Sequence, residues 1–316
     1  MKGMLLKLME YFPLLEVWAQ CVYAGLGQKQ RAKIKKYVEE KGSTPKEKVS
    51  IPEIMSELKK MGIEKGDILM IHSSMDGLKS LSGSPAELLS AIMELLGEEG
   101  TLAMAAFPHY KDNDVCEVEG KKYIIYDVKR TGVSTGLLPM VFCKMRGVKR
   151  SECPMNTVAV WGKHAEEMLQ NEDKSDLVHG ECSAWHYLAK SHAKILYLGL
   201  KVIEADTIVH VAEDIMDEDW PIAHWYEEQN YIIKDRNREK NRTFRIRNGY
   251  WHRYFTAQYS GRLMRKHNFI ESRDYKGITL EMIKDAGEYV EFLMHQAQKG
   301  KLLYRIPRKY YKRDRQ

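Results

Sequence analysis

The sequence predicts an α/β layered domain, and three observations carry that prediction. Short apolar runs, DILMIH at 67–72, TLAMAAF at 101–107 and KILYLGL at 194–200, lack polar alternation and read as strands buried on both faces. Amphipathic, capped segments lie between them, and strands alternating with helices build helical layers around a sheet. The chain has 316 residues, 44% hydrophobic and 30% charged, enough for one large domain or two small ones and unlike collagen-like, low-complexity or disordered chains.

The N-terminal stretch, MKGMLLKLMEYFPLLEVWAQCVYAG, is apolar but carries Lys7, Glu10 and Glu16. Those charges exclude a membrane span of about 20 apolar residues and the apolar region of a secretory signal. It reads as an amphipathic helix interrupted near Pro13, packing on the body or on a second subunit, with a membrane surface as the weaker alternative. A polar connector (KGSTPKEKV, 41–49) follows, and Ser50-Ile51-Pro52 opens a helix to Met61, where Pro leaves no amide unsatisfied. After the first strand, Ser84-Pro85-Ala86-Glu87 has the form of a capping box for a helix to Leu96. Residues 108–130 are polar and read as a surface loop or hairpin. The pattern resumes with a helix from Gly136 to Met145, a strand at Thr157–Trp161, helices near 163–170 and 183–190, and the strand at 194–200. Beyond residue 225 come a hairpin (NYIIKD and RTFRIR) and a last helix expected from Thr279 to Gln298.

The net charge of +6 conceals an asymmetry. Residues 234–316 hold 22 Lys+Arg against 9 Asp+Glu, so an acidic body carries a basic C-terminal region. Such a region is either a solvated face with a frayed end or a surface for polyanions. The five cysteines are widely spaced with no C-x-x-C pair, which suggests neither a disulfide framework nor a zinc site and supports a cytoplasmic address. No metal is expected. Phosphate-loop and dinucleotide fingerprints are missing, and so are the familiar nucleic-acid-binding modules.

Three segments at strand edges hold reactive side chains, where ligands of open α/β sheets sit. His72-Ser73-Ser74 offers hydroxyls and amides beside a glycine-bearing loop, although turn chemistry alone explains the same letters. Asp206 to Glu213 (DTIVHVAE) puts His210 and Glu213 three residues apart on one helical face if Asp206 or Thr207 caps the helix. A carboxylate beside an imidazole fixes its tautomer, as a general base requires, and an ordinary helical pair is the plain alternative. In RSECPMNT at 150–157, Cys153 is a nucleophile only if something lowers its pKa, and only Arg150 is near in sequence.

Taken in order, IHSSMDGLKSLSGSPAELLSAIMELLGEEGTLAMAAF, TGVSTGLLPMVF, RSECPMNTVAVWG, GECSAWHYL, AKILYLGL and DTIVHVAE resemble the aminoglycoside 3-N-acetyltransferase family over roughly residues 51–300. The resemblance implies a three-layer α/β/α fold with a central mixed sheet and acetyl-CoA-dependent acetyl transfer to an amine. It places the catalytic His on His210, its supporting Glu on Glu213 and a preceding Thr on Thr207, with Glu204 or Asp206 matching a further carboxylate. His72, Ser73 and Ser74 are expected near the thioester, with Gly83, Ser84, Ser134 and Thr135 towards the cofactor. Amides or hydroxyls around Ser73 and Ser74 would receive a developing oxyanion. The family's His-Pro-x-x-Ser is replaced by Cys153-Pro154-Met155-Asn156-Thr157, and its Ser-Pro by Ser183-Ala184, which puts a standard aminoglycoside in question. Asp206, Asp214 and Asp217 are the carboxylates expected to hold a cationic sugar.

The expected organisation is thus an N-terminal helical extension (1–50), an acetyltransferase domain (51–300) with its hairpin from about 226, and a basic tail (301–316). The expected partners are acetyl-CoA and a small amino sugar, either an aminoglycoside or a sugar of a surface glycan, and no nucleic acid. A homodimer and a peripheral membrane contact through the N-terminal helix stay open. O-acetylation of a glycan and an inactive polyanion- or membrane-surface-binding relative are the alternatives.

Overall fold

A computed structural model describes residues 2–27, 30, 47–236 and 238–312. Its centre is a seven-stranded mixed sheet in the order Ile270–Tyr275, Ile278–Ile283, Lys194–Leu198, Ile68–Ser73, Thr101–Ala105, Val158–Gly162, Lys149–Arg150. The three predicted apolar runs are its three middle strands and are mutually parallel, while the flanking strands run antiparallel.

Side-chain alternation along the middle strands sorts the core into two layers. Met70, Ala103, Ile195 and Tyr197 enter one cluster, and Leu69, Ile71, Leu102, Met104, Leu196 and Leu198 enter the other. Every one of these side chains is buried. Helices Ile51–Lys60, Pro85–Leu96 and Leu137–Phe142 cover the second face, and Ala184–Lys190, Val209–Met216 and Ala286–Gln298 cover the first. The fold is therefore the three-layer α/β/α arrangement. The Ser84 capping box closes as expected, Ser84 N donating to Glu87 Oε2 at 2.6 Å and Glu87 N to Ser84 Oγ at 3.2 Å.

Three expectations need correction and one is narrowed. The helix expected from Thr279 begins only at Ala286, because Ile278–Ile283 is a core strand paired with both Lys194–Leu198 and Ile270–Tyr275. Asp285 caps that helix by accepting from Glu288 N at 2.9 Å. Within 108–130 the hairpin alternative holds, formed by Val115–Val118 and Lys121–Asp127, and the second strand pairs in parallel with Tyr226–Asp235 to make a separate four-stranded sheet that the sequence did not announce. The stretch read as a basic tail from 301 is not a loose end, since Leu302, Leu303, Tyr304 and Ile306 are all buried. Part of the basic surplus is also bound up within the fold. Arg242 donates to the carbonyls of Glu172 and Ser175, Arg245 pairs with Asp176 and Asp217, and Arg247 donates to the Tyr304 hydroxyl.

The N-terminal stretch forms two helices, Lys2–Tyr11 and Pro13–Gly25, broken before Pro13, and both pack on helix Ala257–Lys266. The connector falls, over 41–46, outside the described residues, as do the last four residues of the tail. Among the described residues no helix is long and apolar enough to cross a membrane, and no cluster of side chains could hold a metal ion.

Candidate active site

The parallel strands Ile68–Ser73, Thr101–Ala105 and Lys194–Leu198 end on the same side of the sheet, and their C-terminal edges open into a cavity of about 590 Å³. Gly77 makes the adjoining turn possible, because a Cβ there would stand 1.7 Å from the Gly199 carbonyl oxygen. Seven expected residues line the cavity together: His72, Ser73, Thr135, Glu204, Asp206, Thr207 and His210.

His210 sits in the first turn of helix Val209–Met216. The helix is capped by neither Asp206 nor Thr207, since its N-cap is Ile208 with no side-chain bond, and the Thr207 carbonyl instead accepts from His210 N. The three-residue spacing does bring Nδ1 of His210 to 3.0 Å from Glu213 Oε2. Glu213 is also held from behind, its Oε1 accepting from the Tyr304 hydroxyl at 2.7 Å, which in turn accepts from Arg247. Burial pushes the Glu213 carboxyl up, but His210, Arg247 and Tyr304 outweigh it and leave it below the usual range. Burial lowers the pKa of His210, with the Glu213 charge opposing. The pair is thus poised as neutral imidazole and carboxylate, Nδ1–H pointing to Glu213 and Nε2 left for the cavity.

His72 is buried between Trp185 and Tyr197, with ring centroids at 5.9 and 5.1 Å, and desolvation lowers its pKa to about 4. It stays neutral at working pH, and its Nε2 has no protein partner although it is buried. Thr135 donates to the Ala105 carbonyl at 2.6 Å, tying its segment to the end of a central strand. Asp206 accepts from the Tyr289 hydroxyl at 3.0 Å, and burial raises its carboxyl to about 7.

The other expected residues lie elsewhere. Asp214 does not face the cavity, because its carboxylate is buried and accepts from His179 N, His179 Nδ1 and the Tyr226 hydroxyl. Asp217 is held by Arg245 at 2.7 Å. Gly83, Ser84 and Ser134 lie outside the lining, where Ser84 Oγ caps a helix and Ser134 donates to Phe107 O. Ser74 is also outside, and its amide, expected to receive an oxyanion, donates to the Leu198 carbonyl at 3.0 Å. Cys153 is buried with its thiol pushed up to about 12, chiefly by desolvation, so it is no thiolate.

Sequence reasoning missed Tyr304, Arg247, Asn156 and His179. Tyr304 lies in the apolar run LLYRI, which marks a buried segment even inside a basic stretch. Asn156 Nδ2 is 2.9 Å from His179 Nε2, and the His179 and His210 rings are 5.3 Å apart. No local pattern links residues 156, 179 and 210.

Comparison with known proteins identifies the family. Residues 70–294 match the sequence profile described as aminoglycoside 3-N-acetyltransferase. The chain belongs to that family. An acetyl-CoA-dependent N-acetyltransferase, the enzyme class the motifs imply, is the class of the family. The SPbeta prophage-derived aminoglycoside N(3')-acetyltransferase-like protein YokD of Bacillus subtilis is 28% identical over 191 residues, covering 56% of this chain and 68% of that protein. Aminoglycoside N(3)-acetyltransferase VII of Streptomyces paromomycinus is 26% identical over 171 residues, covering 51% of this chain and 59% of that enzyme. The fold is similar to solved AAC-IIIb in a binary complex with CoASH (TM-score 0.67, 18% identity, 82% of this chain and 98% of that one). It is also similar to AAC-VIa bound to sisomicin (TM-score 0.67, 16% identity, 80% and 98%).

Proposed function

We propose that this member of the aminoglycoside 3-N-acetyltransferase family acetylates an amine of an amino sugar, with acetyl-CoA as cosubstrate and His210 as general base. The observation that carries the reading is the buried relay Arg247, Tyr304, Glu213, His210, whose last member opens onto the cavity. An amine near neutral pH is largely protonated and cannot attack until a proton leaves. His210 takes that proton on Nε2, and Glu213 stabilises the imidazolium while fixing the ring.

Acetyl-CoA supplies an acetyl group activated as a thioester. His72, Ser73 and Thr135 are the residues that would hold its reactive end, a fit supported by the buried, unpartnered Nε2 of His72 on that wall. Glu204 and Asp206 are the cavity carboxylates for a cationic acceptor, in place of Asp214 and Asp217. Carboxylates that share a cavity with the base attract an ammonium group and orient it.

The test is release of free CoA thiol from acetyl-CoA across a panel of aminoglycosides, simple amino sugars and nucleotide-linked amino sugars. Turnover with at least one amino sugar is expected, and His210→Ala should lower it by about 10²–10⁴-fold while CoA binding is retained. An unimpaired rate in His210→Ala would sink the mechanism.

A further inference from the structure

The N-terminal helices lie outside the stretch that matches the family, yet one of their side chains reaches the cavity. Gln20, on helix Pro13–Gly25, shares the wall with His210, His252 and Phe255. Its carboxamide is oriented, because Nε2 donates to the Phe255 carbonyl at 2.9 Å. That bond leaves Oε1 as the free end, and Oε1 is buried without any protein partner. A buried carbonyl oxygen without a donor is destabilising unless a ligand or water meets it.

The helix that carries Gln20 is fastened to the body. Glu16 is buried and accepts from the backbone N of Gln258 at the start of helix Ala257–Lys266, through both oxygens at 3.1 and 3.3 Å. In the preceding helix, Glu10 pairs with Arg265 at 2.9 Å, and Arg262 stacks over Tyr11 at 4.1 Å. Gln20 thus stands at a defined position, one helix turn after a buried anchor.

We propose that Gln20 is an acceptor-recognition residue, its Oε1 receiving an N–H or O–H group of the sugar bound opposite His210. The inference rests on the acetyltransferase reading of the same cavity and adds to it a specificity element from outside the family-matching stretch. Neutral amide oxygen favours a donor and gives nothing to an acceptor-only group, so the sugar carries an amine or hydroxyl at that point.

The experiment uses the full chain and steady-state kinetics with acetyl-CoA and two aminoglycoside probes, sisomicin and apramycin. Gln20→Leu removes the oxygen at similar volume and should raise KM for the accepted probe roughly tenfold, with kcat and the KM for acetyl-CoA held within about twofold. Gln20→Asn keeps both the amide donor and the oxygen acceptor on a shorter stem and should raise KM less than Gln20→Leu does, a partial rescue opposite to what helix packing alone would produce, since Asn leaves more volume unfilled than Leu. Unchanged acceptor KM in Gln20→Leu overturns the assignment while leaving the acetyltransferase reading intact. A fall in kcat with equal rises in both KM values also overturns it, since that marks a structural role. Where only another amino sugar of the panel is accepted, that sugar serves as the probe, and a wild-type chain that turns over no member of the panel overturns the underlying reading and this inference with it.

Discussion

At the residue scale the behaviour of His210 is set by two opposed influences, burial lowering its pKa and the Glu213 carboxylate raising it, with burial ahead. A general base works when unprotonated, so the rate should fall as pH drops through that lowered pKa, and the acid limb should lie below the ordinary histidine range near 6.5. Glu213→Gln removes the opposing charge but keeps a hydrogen-bond acceptor for Nδ1–H. The acid limb should then move to still lower pH while kcat falls, because the imidazolium loses its stabilising carboxylate; an acid limb displaced upward would contradict the assigned pair. Tyr304→Phe deletes the hydroxyl that Glu213 accepts from and strands Arg247 beside it, so kcat should drop by about tenfold in the same assay. Alkylation of Cys153 should be slow in the folded protein and have no bearing on the rate law, given a buried thiol raised to about 12.

At the element scale much was legible in the sequence, for identifiable reasons. The three middle strands are apolar on both faces and announce themselves without alternation, and the Ser84 and Ser183 caps are local hydrogen bonds between residues three apart. The Thr279 helix failed because Ile278, Leu280, Met282 and Ile283 are an apolar run that suits helix or strand equally, and only pairing to a residue far away decides it. The hairpin within 108–130 was among the readings, but its place in a second sheet was not, because its partner strand lies about a hundred residues further on. The His210–Glu213 contact was legible since i and i+3 share a helical face, whereas Tyr304 and Gln20 reach the site through tertiary packing alone. Gly77 shows how tightly two strand ends meet: Gly77→Ala drives a Cβ into the Gly199 carbonyl and should destabilise the fold by on the order of 2 kcal/mol or more in urea unfolding.

At the scale of the whole molecule, three carboxyls are buried in different settings: Glu16 against the start of helix Ala257–Lys266, Glu172 against Ser151, and Asp206 in the cavity. Burial raises each to about 7. A carboxyl whose folded pKa is raised binds its proton more tightly folded than unfolded. The folded state is thus favoured fully only below the unfolded pKa near 4.5, and that stability is lost as pH climbs towards 7. Taken alone, these carboxyls lower stability from pH 5 to pH 7, by at most about 1.4 kcal/mol per pH unit for each group, while buried His72 works the other way, because the unfolded chain binds its proton more tightly. The carboxyl share is read as a difference: Glu16→Gln, which is neutral throughout, should lose less stability than the wild type between pH 5 and pH 7 in urea unfolding, and an identical pH dependence in the two proteins would exclude the account. Protonation of His210 limits the site on the acid side, and ionisation of the buried carboxyls works against the fold on the neutral side.

The contact between Tyr304 and Glu213 joins positions 91 residues apart, and it ties competence to the order of synthesis. A growing chain can assemble the middle strands and helix Val209–Met216 well before residue 304 has emerged. Such a chain already contains His210, Glu213 and Arg247, but the carboxylate lacks the hydroxyl that joins it to that arginine. The ribosome must move past this segment before the relay can close. A product ending before residue 304 would carry the His-x-x-Glu motif without its support, and under the proposed mechanism it should be a poor catalyst.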